Sequence, residues 1–368
     1  MVDFLIVGGG VVGLSIAWEL SKRGPQVCVV DRQAPGKATS WVGAGIFPPP
    51  QFGAKHDALE QLRTASHQLH IEWSQQLKSE TGIDNELRRC GGIYFARKVG
   101  EAAALRVSMQ QVSEDDVKVV ELSRQQLVEL EPALQSITDD ALAIYLLPDE
   151  MQLRSPCHLK ALIAACGKNG VDIRSDFCVD RILVSDKAIS CVDPEGESIQ
   201  AGHCCLCAGP WSAKLLEQFE VALPIEPWRG QLILWETPVS LIQHVVNEGF
   251  RYLVPRKDGC LIAGATVEDV GFDCQNTDEA INELTEYSRE LLPELRGYKV
   301  QQSWAGLRPM TPDGNPFLCR IPGYENVSIA AGHYRSGLHL SPATAVFMTQ
   351  LLLDDKTYID PLPFRLNR

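Results

Sequence analysis

The stretch from Asp3 to Asp31 constrains this chain more than any other. A short apolar segment ends in Phe4-Leu5-Ile6-Val7, and Gly8-Gly9-Gly10-Val11-Val12-Gly13 follows at once. Apolar residues then recur at helical spacing through Leu14, Ala17, Trp18 and Leu20, up to Arg23, and Gly24-Pro25 stops the helix. A second strand, Gln26 to Val30, ends in Asp31. Strand, G-x-G-x-x-G, helix, strand, acid is the order a dinucleotide site needs. Gly8 permits the tight turn, Gly10 lets a pyrophosphate approach the backbone, and Gly13 lets the helix pack closely on the sheet. The helix start, at Val11 and Val12, offers unpaired N–H groups and a partial positive charge to phosphates. Asp31 is placed to accept hydrogen bonds from a ribose hydroxyl and would repel a 2′-phosphate. FAD and NAD both fit this motif; a plain β-α-β unit without ligand is the alternative.

At 368 residues the chain exceeds one compact domain, so two domains sharing a ligand site are expected. Its 45% apolar and 22% charged residues are ordinary for a soluble globular protein. A net charge of −13 disfavours nucleic acid or an anionic membrane as main partner. The 12 cysteines are not spaced as a disulfide framework or zinc site, and Cys204, Cys205 and Cys207 share one apolar run. Buried reduced thiols in a reducing cytoplasm fit best. The apolar N-terminus has no basic n-region and is interrupted by glycines, so it does not read as a signal peptide. No stretch approaches the length of a transmembrane helix.

Further along, a polar loop from Gln33 leads through Ala38-Thr39-Ser40 to the small apolar run Trp41–Ile46, and Pro48-Pro49-Pro50 breaks regular structure. Helical spacing is clear from Asp57 to about Thr81, from Glu101 to Val112, from Ser123 to Leu130, from Ser155 to about Lys168, from Asp278 to Leu292 and from about Ser341 to Leu353. Strands are expected at 90–96, 141–147, 179–184, 188–192, 204–207, 228–235, 252–255, 260–263, 299–305 and 327–331. Strand-glycine-helix units thus recur at the start, near Cys207 and near Gly332, with hairpin-like blocks between them. The pattern predicts an α/β protein, α+β overall. A discontinuous Rossmann-like nucleotide domain (1–82, 148–221 and 306–368) would carry an inserted, largely antiparallel substrate domain (83–147 and 222–305).

With these motifs in view, the chain resembles the D-amino-acid oxidase superfamily of FAD-dependent amine oxidases, and within it the glycine-oxidase branch. The resemblance rests on the glycine fingerprint with Asp31; on Ala38-Thr39-Ser40 through Gly45-Ile46; and on Ala208-Gly209-Pro210-Trp211-Ser212. It continues in Tyr252-Leu253-Val254-Pro255-Arg256, Gly264-Ala265-Thr266, Trp304-Ala305-Gly306-Leu307-Arg308-Pro309, Thr311-Pro312-Asp313-Gly314-Asn315-Pro316 and Ala331-Gly332-His333-Tyr334-Arg335-Ser336-Gly337.

The resemblance implies FAD rather than nicotinamide, contacted by Gly8, Gly10, Val11, Val12, Gly13, Asp31, Arg32, Thr39, Ser40, Ala44, Gly45, Ile46, Val179 and Gly209, then by Gly332, His333, Tyr334, Arg335, Ser336, Gly337 and Leu338. Because Pro309-Met310 stands where the sarcosine-oxidase branch carries its flavin-linking cysteine, noncovalent FAD is expected. The implied reaction is oxidation of glycine or another small amino acid or amine. A hydride passes to flavin N5, the imine is hydrolysed, and O2 is reduced to hydrogen peroxide; a role in thiamine biosynthesis comes by the same resemblance. Arg308 would hold the substrate carboxylate, since a guanidinium fork makes two parallel charge-assisted bonds. Tyr252 would meet the same carboxylate, and Arg335 would lie near it. A structural salt bridge for Arg308, core packing for Tyr252, and a flavin carbonyl or surface acid for Arg335 stay open. His333 reads as a flavin-contacting or core histidine, not a base. Ile46, Asn247, Phe250 and Arg251 depart from glycine-oxidase residues at positions that line or gate the pocket. A dehydrogenase of the same fold with another electron acceptor, and a flavoprotein scaffold without turnover, are the alternatives. The resemblance also leaves a homo-oligomer open.

Overall fold

In the computed structural model, which describes residues 1–51, 57–185 and 188–368, the opening strand Val2–Val7 lies in the interior of an eight-stranded sheet. It pairs in parallel with Val27–Val30 on one side and with Ser198–Leu206 on the other. Outward from these, Asp172–Arg174 and Tyr324–Ala331 add in parallel. Parallel strands covered on both faces read as unbroken apolar runs, as Leu5–Val7 and Val27–Val30 do. One face is covered by the helices Val11–Ser21, Ala58–Thr81, Ser155–Lys168 and Gly337–Leu352 through a core that includes Trp18, Leu62, Trp73, Leu162 and Phe347. Val7, Val30 and Leu206 stand opposite one another, so the turns that follow them, with Gly8, Asp31 and Cys207, share one carboxyl edge. In open α/β sheets that edge is where ligands bind.

The second sheet also has eight strands. Its order is Val300–Met310, Glu226–Glu236, Cys260–Gly264, Arg251–Pro255, Val245–Glu248, Gly92–Ala96, Ala143–Leu147 and Val120–Glu121. Every pairing is antiparallel except that of Val245–Glu248 with Gly92–Ala96. The helix Asp278–Leu291 covers one face, packing with Ile93, Phe95, Val246, Leu253, Ile233 and Trp235. Side chains alternate along a strand, so the residues between these point the other way. They form a row across the sheet: Tyr94 opposite Asn247, Asn247 opposite Tyr252, Tyr252 opposite Gly264, Gly264 opposite Leu232 and Leu232 opposite Trp304. The fold is therefore α/β, α+β overall, with a Rossmann-like sheet and a largely antiparallel one.

Several elements differ from the sequence expectation in extent. The strand expected at 299–305 runs on to Met310, pairing along the whole of Glu226–Glu236, so Arg308 sits in regular sheet rather than in a loop. Val245–Glu248 and Phe317–Ile321 are strands that local patterning did not disclose. Val179 precedes its strand, which begins at Arg181. The last helix starts at Gly337, four residues early, because Pro342 is inside it rather than at its first turn. Proline cannot donate to the carbonyl four residues back. That carbonyl, on Leu338, instead accepts from His70 Nε2 at 3.1 Å and Ser341 Oγ at 3.0 Å. All 12 cysteines are free thiols.

Candidate active site

A cavity of about 820 Å³ runs from the carboxyl edge of the first sheet to the uncovered face of the second. At its first end the glycine turn is fixed by sterics. Gly8 has φ +112°, and a Cβ there would stand 2.4 Å from the Cys207 carbonyl oxygen. Gly13 does not line the cavity; a Cβ on it would meet the Gly8 carbonyl oxygen at 2.0 Å, which locks helix to turn. Ser40 Oγ accepts from the Val11 N–H at 2.9 Å, at the helix start. Asp31 accepts from Gly9 N at 2.8 Å and Gln33 N at 3.1 Å. Burial raises its pKa, and these two N–H groups pull it back. Arg32 stacks 3.8 Å over the Trp211 ring, and Val179, Phe177 and Gly209 line the same end.

Midway, Thr39 Oγ1 donates to the Leu307 carbonyl at 2.8 Å, tying the second loop to the second sheet. Gly45 (φ +72°) lies so close to Leu153 that a Cβ would be 2.1 Å from its carbonyl oxygen. Ala44 is held through its carbonyl by Arg256 Nη2 at 2.7 Å, while Arg256 Nη1 donates to Gln152 Oε1 at 2.6 Å and to the Leu153 carbonyl at 3.0 Å. Burial lowers the Arg256 pKa to about 10. Sequence reasoning noted Arg256 only as part of a motif; its bonds come from segments about a hundred and two hundred residues away and leave no local signal.

Gly332 to Leu338 follow the parallel strand Tyr324–Ala331 on the same carboxyl edge as the glycine turn and line the cavity there. The Tyr334 N–H donates to the Pro309 carbonyl at 2.9 Å. His333 is buried with Nε2 3.1 Å from Thr344 Oγ1, and burial depresses its pKa to about 4, so it is neutral at physiological pH.

The second sheet supplies the remaining wall. Arg308 is tucked against Gly230, where a Cβ would stand 2.0 Å from Nη2. Its Nη1 donates to the Arg229 carbonyl at 3.2 Å and the Thr266 carbonyl at 3.0 Å. It stands beside Tyr252, whose ring lies on Gly264; a Cβ there would be 2.8 Å from the ring. Burial lowers the Arg308 pKa; Tyr252 offsets this and Arg335 adds to it. Tyr252 is raised by burial and lowered by both arginines. Arg308, Tyr252 and Arg335 all line the cavity, and among the described residues neither arginine forms an ion pair. Two unpaired cations and a phenol beside an apolar wall suit a small carboxylate.

Asn247 and Ile46 also line the cavity. Arg251 does not: strand alternation turns it outward, 3.6 Å from Glu248 and 4.3 Å over the Tyr287 ring. Phe250 sits exposed at the hairpin turn. Sequence reasoning missed Glu150, fully buried behind the wall with Tyr94 and Asn247 as partners. Burial pushes its pKa up to about 7. Its one signal was Gly92, where a Cβ would be 2.3 Å from Glu150 Oε1.

A cavity of this length, with a glycine cradle at one end and a cationic wall at the other, fits a dinucleotide with a redox-active ring. The chain belongs to the DAO family of FAD-dependent oxidoreductases, which it matches over residues 3–351. Among individual proteins it is similar to the glycine oxidase of Pseudomonas putida, at 32% identity over 98% of this chain and 97% of that one. It is also 31% identical to the bifunctional protein ThiO/ThiG of Trichormus variabilis, over 98% of this chain and 54% of that protein. The crystal structure of glycine oxidase from Geobacillus kaustophilus superposes with a TM-score of 0.94 at 28% identity, covering 100% and 98% of the two chains. Among the described residues no helix is long and apolar enough to cross a membrane.

Proposed function

We propose that this FAD-dependent oxidoreductase deaminates glycine or another small amino acid. The observation that carries the reading is half-buried Arg308 beside buried Tyr252, the arginine free of any protein carboxylate among the described residues and both facing the cavity. The chemistry that bound FAD would supply is acceptance of the substrate α-hydrogen as hydride, with O2 as the final electron acceptor giving hydrogen peroxide and with water hydrolysing the imine product to an oxo acid and ammonia. Gly8, Gly10 and the N–H groups at the start of Val11–Ser21 would hold the pyrophosphate, and Asp31 the ribose. The Gly332–Leu338 turn and the start of the last helix would hold the ring end of the cofactor. Arg308 and Tyr252 fix the substrate carboxylate, which leaves only the orientation of the α-carbon to be set. Neutral His333, bonded to Thr344, takes no proton. Similarity to glycine oxidases supports the substrate class, and absence of a cysteine at Met310 supports noncovalent FAD. The test is peroxide release with glycine, small D-amino acids and sarcosine, each with and without an artificial electron acceptor. Peroxide at one mole per mole of substrate supports an oxidase; turnover only with the acceptor replaces it by a dehydrogenase.

A further inference from the structure

Glu150 has no part in the account so far, yet it is fully buried and has no cation within ion-pair distance among the described residues. A carboxylate in that setting is costly, and glutamine or leucine would fill the space without the cost. The fold makes room for it. Gly92 lacks the Cβ that would collide with it, and the Glu150 carbonyl is fixed by the N–H groups of Cys90 at 3.1 Å and Gly91 at 3.0 Å. The carboxylate takes the Tyr94 hydroxyl proton on one oxygen and an Asn247 Nδ2 proton, at 3.4 Å, on the other.

Above about pH 7, where Glu150 is ionised, its carboxylate only accepts. Asn247 must therefore turn its amide nitrogen toward Glu150 and its oxygen away, and Tyr94 has spent its single proton. Both side chains line the cavity while Glu150 stands behind them. Both also share the sheet row with Tyr252, Asn247 being directly opposite it. The wall thus offers donors at Arg308 and Tyr252 and, one strand over, acceptor oxygens on Asn247 and Tyr94.

We propose that Glu150 is a positioning residue that fixes Asn247 and Tyr94 as hydrogen-bond acceptors for the amino group of the substrate. The proposal rests on the amino-acid reading given above. It makes the cavity complementary to both ends of an amino acid, whereas a carboxylate without the amine would use only the Arg308 end.

The test compares the FAD-loaded parent with Glu150→Gln at a pH well above 7, where Glu150 is ionised. The glutamine side chain keeps the Tyr94 bond but presents N–H to Asn247, so Asn247 turns over and shows its own N–H₂ to the cavity. Two constants are measured without oxygen: the Kd of glycine, from saturation of the flavin-reduction rate, and the Kd of acetate, from the change it causes in the flavin absorption band. Losing a bond from a charged group predicts a glycine Kd roughly ten- to a hundredfold higher, with the acetate Kd within about twofold. Asn247→Ala, which leaves Glu150 in place, is expected to show the same split and serves if Glu150→Gln does not fold. Equal weakening of glycine and acetate, or an unchanged glycine Kd, overturns the proposal. If no small amino acid reduces the parent flavin, the amino-acid reading itself fails, and the proposal with it.

Discussion

At the scale of single residues, the proposed function rests mostly on two side chains. Asp31 already accepts two backbone N–H groups that shape the glycine turn, so it is a structural anchor as well as the proposed ribose ligand. Asp31→Ala is expected to weaken FAD binding by about 1.5–3 kcal/mol per lost bond to cofactor, read by titrating apoprotein with FAD. Unchanged affinity would leave only the anchor role. Arg308→Lys keeps the charge but not the planar fork. Truncating one partner of a desolvated charge pair costs about 2–5 kcal/mol, so kcat/KM for glycine should fall at least tens-fold with FAD still bound. A neutral amine without a carboxylate should be far less affected; equal loss for both substrates would make Arg308 structural. Arg308 and Asp31 were legible in sequence because each sits in a motif. Glu150 was not, because the glycine that admits it and the amide it orients lie on strands far apart in the chain.

At the scale of elements, the last helix depends on a neighbour. Its Pro342 leaves the Leu338 carbonyl without a helical partner, and His70 of the long helix Ala58–Thr81 supplies one, while Ser66 Oγ donates to the His339 carbonyl at 2.6 Å. Around this joint His67, His70, His158 and His339 are packed together with Phe47. Burial lowers the pKa of His67 and His158 to about 4 and holds His70 and His339 well below the usual value. All four are neutral in the folded protein, whereas in the unfolded chain they titrate near 6.5. Their contribution is therefore intact above about pH 6.5 and is lost as pH falls from there toward 4. Glu150, raised to about 7, and Asp31, also raised by burial, act with opposite sign, but His203 and His333, lowered to about 4, join the four, so six histidines stand against two carboxyls. Tm measured at pH 7.5, 6.5, 5.5 and 4.5 should fall steadily, and a flat profile would contradict the arrangement. The helix itself was legible, but its start was not. Ser341-Pro342 reads locally as a first turn, and the long-range bonds from His70 and Ser66, with Ser341 Oγ on the Leu338 carbonyl, support a start at Gly337.

At the scale of the whole molecule, function depends on two sheets that meet across one cavity. The parallel sheet gives its carboxyl edge and the antiparallel sheet its uncovered face, and Thr39 and Arg256 tie one to the other. The alternation of glycine-turn units with hairpin blocks made this architecture legible. The parallel pairing of Val245–Glu248 with Gly92–Ala96 was not, because it joins segments separated by an entire nucleotide-binding block. Noncovalent FAD should appear in the supernatant after acid precipitation of the yellow protein; flavin retained in the pellet would show a covalent link. The most direct measurement of the central claim is anaerobic titration of the purified, FAD-loaded protein with a panel of small amino acids and their amine-free carboxylate analogues, followed at the flavin absorption band. Bleaching by glycine or another small amino acid, with only a spectral shift from the analogues, is the expected result. A flavin that dithionite reduces but every amino acid leaves oxidised would contradict it.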